Sequence, residues 1–246
     1  MQGHGPSVTL VHGFAQNREC LGPLAQDLST RFRLVRPDAP GHGSSLRHAD
    51  ADLERGAELL IATSGRSNLV GYSMGGRLCL TAALCDPDRV EALVLIGATP
   101  GISDPVERSD RRDADRALAD RLERIGMQAF VEEWLALDLF AALPAWARFD
   151  QERRTNTAAG LAASLRRAGT GSMAPLWDRL GELAMPVLWI TGAADPKYGE
   201  IAERAARAVG PNARHEVIVG AGHAAHLERA DATTAVVSEF LQRHGR

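Results

Sequence analysis

The chain is almost without lysine: of 28 cationic side chains, Lys197 is the one lysine and the other 27 are arginines. Acidic residues number 31, so the formal charge is -3. A nucleic-acid binder normally carries a basic excess, so that class is not expected. Cysteine is scarce. Cys20, Cys79 and Cys85 form an odd set without metal-ligand spacing, which argues against a disulfide framework and for a reduced, intracellular protein. No apolar run reaches the about 18 residues of a membrane helix, so no span and no membrane partner is expected. The opening Met1 to Ser7 has neither the charged start nor the apolar centre of a leader peptide, and a cytoplasmic address follows by default. Internal repeats and low-complexity linkers are absent too. What is present is ordinary globular usage, with 45% hydrophobic and 24% charged residues in 246. That suits one large domain or two small ones with a substantial core.

Six short runs rich in Val, Leu and Ile end in Gly, Ser or Asp: Val8 to Gly13, Phe32 to Asp38, Asn68 to Ser73, Val90 to Gly97, Pro186 to Gly192 and Arg214 to Gly220. Near-continuous apolar runs suit strands buried on both faces. Helical stretches lie between most of them: Leu21 to Thr30, Leu53 to Thr63, Gly75 to Cys85, Glu200 to Val209, with Ala230 to His244 last. The alternation predicts an α/β fold with a mostly parallel, doubly wound sheet. Roughly 90 residues between Gly97 and Pro186 show no strand pattern. Glu107 to Ile125, Met127 to Leu135 beyond a break at Gly126, and Gly160 to Arg167 read as helices. The expectation is a core of residues 1–99 and 186–246 with a helical cap, 100–185, inserted between two strands.

Chemistry in such sheets sits beyond the carboxyl ends of the strands. Gly71-Tyr72-Ser73-Met74-Gly75 follows a strand and precedes a helix, the context of a strained nucleophile elbow. Serine needs a partner to take its proton. Asp195 (in Thr191-Gly192-Ala193-Ala194-Asp195) and His223 (in Gly220-Ala221-Gly222-His223) each follow a later strand, in the order Ser, Asp, His. The three form a candidate catalytic triad. Backbone N–H groups of Phe14, after the first strand, and Met74 are the candidate oxyanion hole. The turn from Asp38 to Ser44 reads as structural, and His42 as non-catalytic. His223 and His226 are three apart, but no further ligand pattern accompanies them and no metal is expected.

The segments HGF (12–14), DAPGHG (38–43), GYSMGG (71–76), TGAAD (191–195) and GAGH (220–223) resemble the α/β-hydrolase superfamily along the whole chain. In that scheme the cap follows the sixth family strand. Gly76-Arg77, Glu107 to Arg111, Arg153 to Asn156, Asp195 to Tyr198 and Ala221 to Glu228 are similar to one family within it: the 2-succinyl-6-hydroxy-2,4-cyclohexadiene-1-carboxylate synthases of menaquinone biosynthesis. The resemblance implies a lyase that eliminates pyruvate from a cyclohexene polycarboxylate by proton abstraction through the triad, without a cofactor. It implies that Arg77, Arg111 and Arg154 bind a small polycarboxylate substrate, with Tyr72 and Trp134 at the pocket. Arg77, four residues after Ser73 on the elbow helix, leans back toward the pocket mouth.

Other readings stand beside these. From charge pattern alone, Arg111 and Arg154 are solvated helix residues with Asp115 and Asp150 at i,i+4 spacing. Tyr72 can be packing under the cap, and Trp134 lies in an amphipathic pattern typical of a core. The triad would equally serve a carboxylesterase or carbon–carbon bond hydrolase for a small anionic substrate. A non-enzymatic ligand receptor on this fold is a third reading. A monomer or small homo-oligomer is expected.

Overall fold

A computed structural model describes residues 4–245. Met1 to Gly3, part of the opening segment considered above, lie outside it. Six strands form one parallel sheet: β1 (Ser7–Val11), β2 (Arg33–Val35), β3 (Ser67–Tyr72), β4 (Val90–Ile96), β5 (Val187–Gly192) and β6 (Ala213–Ile218). Their order is β2-β1-β3-β4-β5-β6. Every residue of β1, β3 and β5 is buried, as the continuous apolar runs demand. The second strand is shorter than expected from Phe32 to Asp38. Pro37 and Pro40 lack the N–H groups that would continue the ladder.

The helices are α1 (Gly22–Leu28), α2 (Leu53–Ser64), α3 (Met74–Cys85), α4 (Pro105–Leu135), α5 (Asp150–Arg154), α6 (Ala158–Ala168), α7 (Pro196–Val209), α8 (Ala225–Glu228) and α9 (Ala230–His244). Alternate side chains along each strand enter opposite layers. Leu69, Leu93, Leu95 and Trp189 pack with α2, α3 and α7. Val70, Val94, Ile96 and Ile190 pack with α1, α8 and α9 on the other face. The sheet is therefore doubly wound.

The segment between β4 and β5 is helical. In α4 the helix breaks at Gly126, whose φ of 75° lies in the left-handed region, as its glycine suggested. The short α5 carried no clear sequence signal. Helices α4 and α6 share a small apolar cluster of Ala119, Leu122, Phe130, Leu161 and Leu165, which meets the core at Ala15 and Phe14. Chain order reverses at β1, with β2 on one side and β3 on the other. The loops after β1 and β3 flank the resulting crevice, and α4 and α6 cover it. Among the described residues no helix is long and apolar enough to cross a membrane.

Candidate active site

Ser73 sits at the β3–α3 turn with φ 51° and ψ -109°. This left-handed conformation is costly for a residue with a Cβ, by about 1–3 kcal/mol. The flanking glycines make the turn possible. A Cβ at Gly71 would strike the Gly75 backbone, and one at Gly75 would strike the carbonyls of Val11 and His12. The first turn of α3 therefore lies directly on the end of β1. The backbone N–H of Met74 opens that helix, and neither it nor the N–H of Phe14 donates to a backbone or side-chain acceptor among the described residues.

Asp195 and His223 come to Ser73 from the ends of β5 and β6. The Nδ1–H of His223 donates to Asp195 Oδ2 at 2.8 Å, and the Ser73 hydroxyl donates to His223 Nε2 at 3.1 Å. The other oxygen of Asp195 accepts from Tyr198 N at 3.3 Å, so the carboxylate also caps α7. Glu228 clamps the loop on both sides of the histidine, accepting from the backbone N–H groups of Gly222 and Ala224. Glu228 was part of the matched segment, but its clamping role was not read from sequence.

His12 stabilises the loop that carries Phe14. Its Nε2 accepts from Ala39 N at 3.0 Å, which places the proton on Nδ1, donating to Gly13 O at 2.8 Å. Burial pushes its pKa down to about 4, so it is neutral and structural. Burial likewise lowers His42 to about 3, and its Nδ1 bonds the Pro40 carbonyl beneath the Asp38–Ser44 turn. Asp38 ties that turn through Ser44 N, Ser44 Oγ and Arg18 N. His226 is fully buried against the Tyr72 ring, with centroids 4.3 Å apart. No three or more His, Cys, Asp or Glu converge as metal ligands among the described residues.

Ser73 and His223 open into a cavity of about 270 Å³ that Phe14, Tyr72, Met74, Arg77, Arg111 and Trp134 also line. Arg77 is buried, donates from Nη1 to the Ala168 carbonyl at 2.7 Å, and forms no salt bridge among the described residues. Burial holds its pKa down to about 10, so it stays charged near neutrality. Arg111 has the i,i+4 partner that the charge pattern suggested and also a place on the cavity wall. Its Nε donates to Asp115 Oδ1 at 2.8 Å, yet it lines the cavity. Asp115 is itself buried and accepts from Gly171 N at 3.2 Å.

The Arg154 expectation meets a different geometry. Its Nη2 pairs with Glu132 at 3.2 Å, while Asp150 pairs with Arg148, and Arg154 does not line the cavity. Its neighbour Arg153 does. Arg153 is fully buried, held by the carbonyls of Arg148 at 2.7 Å and Ala15 at 3.2 Å. One residue along a helix turns a side chain by about 100°, so only the seating of α5 decides which arginine faces inward. Trp134 packs with Phe14 and Phe130 and also lines the cavity. Tyr198 was quoted in a motif but not singled out. Its ring lies 4.5 Å from the His223 ring, and it lines the cavity.

A model of the alpha/beta hydrolase family matches residues 10–236, and the chain belongs to that family. Within it, a Bacillus subtilis (strain 168) protein provisionally assigned as 2-succinyl-6-hydroxy-2,4-cyclohexadiene-1-carboxylate synthase is 36% identical over 96% of this chain and 90% of its own. A pimeloyl-[acyl-carrier protein] methyl ester esterase of Xanthomonas campestris pv. campestris is 34% identical, covering 97% of this chain and 96% of its own. The solved structure of MenH from S. aureus superposes with a TM-score of 0.92 at 28% identity, over 99% of this chain and 97% of that one.

Proposed function

We propose that the chain is a carbon–oxygen lyase of menaquinone biosynthesis. It eliminates pyruvate from 2-succinyl-5-enolpyruvyl-6-hydroxy-3-cyclohexene-1-carboxylate to give 2-succinyl-6-hydroxy-2,4-cyclohexadiene-1-carboxylate. The observation that carries this reading is that the Ser73–His223–Asp195 relay opens into the same cavity as Arg77, a buried guanidinium without a carboxylate partner. A neutral ester would leave that charge desolvated and unpaired, at a cost of several kcal/mol. A substrate with three carboxylates supplies the missing counter-charges, and Arg111 and Arg153 line the same space.

In this reading Ser73 Oγ removes the ring proton and passes its own to His223, while Asp195 holds the imidazole tautomer. The electron pair of the broken C2–H bond forms a C2–C3 double bond, and the existing C3–C4 double bond shifts to C4–C5. The C–O bond to the enolpyruvyl group breaks, and the departing enol takes up a proton to become pyruvate. Charge developing on the succinyl ketone is met by the N–H groups of Phe14 and Met74. Tyr72 and Trp134 shape the wall. The reaction is redox-neutral and its proton transfers are served by the relay, so no cofactor is invoked. Residues 100–185 act as the cap over a core of 1–99 and 186–246. All the groups used come from one chain, so a monomer suffices. Three free cysteines, two of them buried, fit a reducing cytoplasm.

The same relay would open an ester, as the name of the Xanthomonas relative illustrates. The test is direct: purified protein is mixed with the enolpyruvyl substrate, and pyruvate is followed through lactate dehydrogenase and NADH. Stoichiometric pyruvate is the expected result. Rapid turnover of p-nitrophenyl esters with no pyruvate would refute the lyase reading.

A further inference from the structure

The elimination splits one polyanion into two anions beneath α4 and α6, and a second cavity of about 330 Å³ adjoins the first. Thr99, Arg111, Thr170 and Tyr198 line both spaces and so form the partition between them. Beyond the partition stand the two cations Lys197 and Arg204, with the carboxylates Asp104 and Glu107 on the same lining, while the charge of Arg111 is met by Asp115. Asp104 is already engaged at the start of α4, accepting from Val106 N at 2.9 Å and Glu107 N at 2.8 Å. No salt bridge holds Lys197 or Arg204 among the described residues. The Arg204 guanidinium lies 4.0 Å over the Trp177 ring, and that ring is fixed by its Nε1–H donating to the Gly101 carbonyl at 2.8 Å. The stacked guanidinium keeps its planar N–H edge free for an anion.

We propose that this second cavity is a carboxylate subsite that receives the pyruvate released by the elimination, with Arg204 and Lys197 as its cations and Tyr198 and Arg111 as the wall it crosses. The inference rests on the lyase reading. A guanidinium edge beside an ammonium, both on the exposed side of the partition, suits a planar carboxylate on its way to solvent, whereas the cyclohexadiene product stays with Arg77 and Arg153 beside the triad in the first cavity. Arg111, shared by both spaces, can hold a carboxylate on either side.

The experiment uses Ser73→Ala protein, in which turnover is silenced, and titrates it with carbon-13-labelled pyruvate followed by NMR line broadening. The same titration is run on Ser73→Ala carrying Lys197→Gln and Arg204→Gln, with melting curves to show that it is folded. Pyruvate affinity is expected to weaken about fivefold, the scale of losing partly exposed ion pairs, while affinity for the cyclohexadiene product is unchanged. Equal pyruvate affinity in both proteins overturns the proposal. A loss confined to the cyclohexadiene product overturns it too, because the second cavity would then hold a carboxylate of the larger molecule. A parallel loss of both likewise overturns it, as a general effect of charge. Because binding is read without turnover, failure of the wild type to release pyruvate is a separate result, against the parent reading alone.

Discussion

Replacing Arg77 by Met should raise stability and remove activity together. Methionine keeps the length and apolar stem of the side chain but carries no charge. Burial holds the Arg77 pKa down to about 10, well below the ordinary guanidinium value. That displacement corresponds to about 3 kcal/mol of unfavourable burial of the charged form. Against it stands the hydrogen bond to the Ala168 carbonyl, worth about 1 kcal/mol. The variant should therefore gain about 2 kcal/mol, which for a chain of this size is a rise of roughly 4–8 °C in melting temperature. Activity should move the other way. Deleting one member of a desolvated charge pair with a substrate carboxylate costs about 2–5 kcal/mol, a fall in kcat/KM of roughly 30-fold to several thousand-fold. Differential scanning calorimetry and the pyruvate assay read the two effects on the same preparation. A variant that melts lower than wild type, or keeps kcat/KM within about tenfold, would show that Arg77 serves the fold and not the substrate.

Ser73→Ala should abolish pyruvate release while calorimetric binding of the cyclohexadiene product persists; loss of binding instead would mean that the serine positions the ligand. Arg153→Met should raise KM by about tenfold or more, and Arg154→Met by much less, since Arg153 lines the cavity and Arg154 pairs with Glu132. The reverse ranking would show that the cap seats differently when substrate is bound. Acid should destabilise the fold, because burial lowers His12 to about 4 and His42 and His226 each to about 3, from 6.5. The folded state holds these rings neutral while the unfolded chain protonates below about pH 6.5. Stability is therefore full above that pH and falls as pH drops toward the folded values, by roughly 2 kcal/mol per histidine at about pH 5. Urea midpoints between about pH 7 and 5 measure it, and a flat profile would contradict the burial.

Glycine at 71 and 75, the serine between them, and an aspartate and a histidine each just past a strand were legible because each signal is confined to a few adjacent residues. Sheet topology then brings strand ends to one edge without further instruction. The arginines were legible only in part. Arg77 follows the elbow by one turn, so its direction is set by the same local geometry. Arg111 was ambiguous because its i,i+4 partner Asp115 is real, and only the fold shows that it also lines the cavity.

The amino-acid order by itself determined the alternation of strands and helices, the strained turn at Ser73 and the chain order of the relay, since these depend on neighbours within a turn or a strand. Tertiary structure alone decided that Arg153 and not Arg154 faces the cavity, and that Tyr198 lines two spaces. Those outcomes depend on how α4, α5, α6 and α7 seat on a sheet built from distant parts of the chain. A rotation of one residue there exchanges inside for outside, and nothing local in the sequence fixes it.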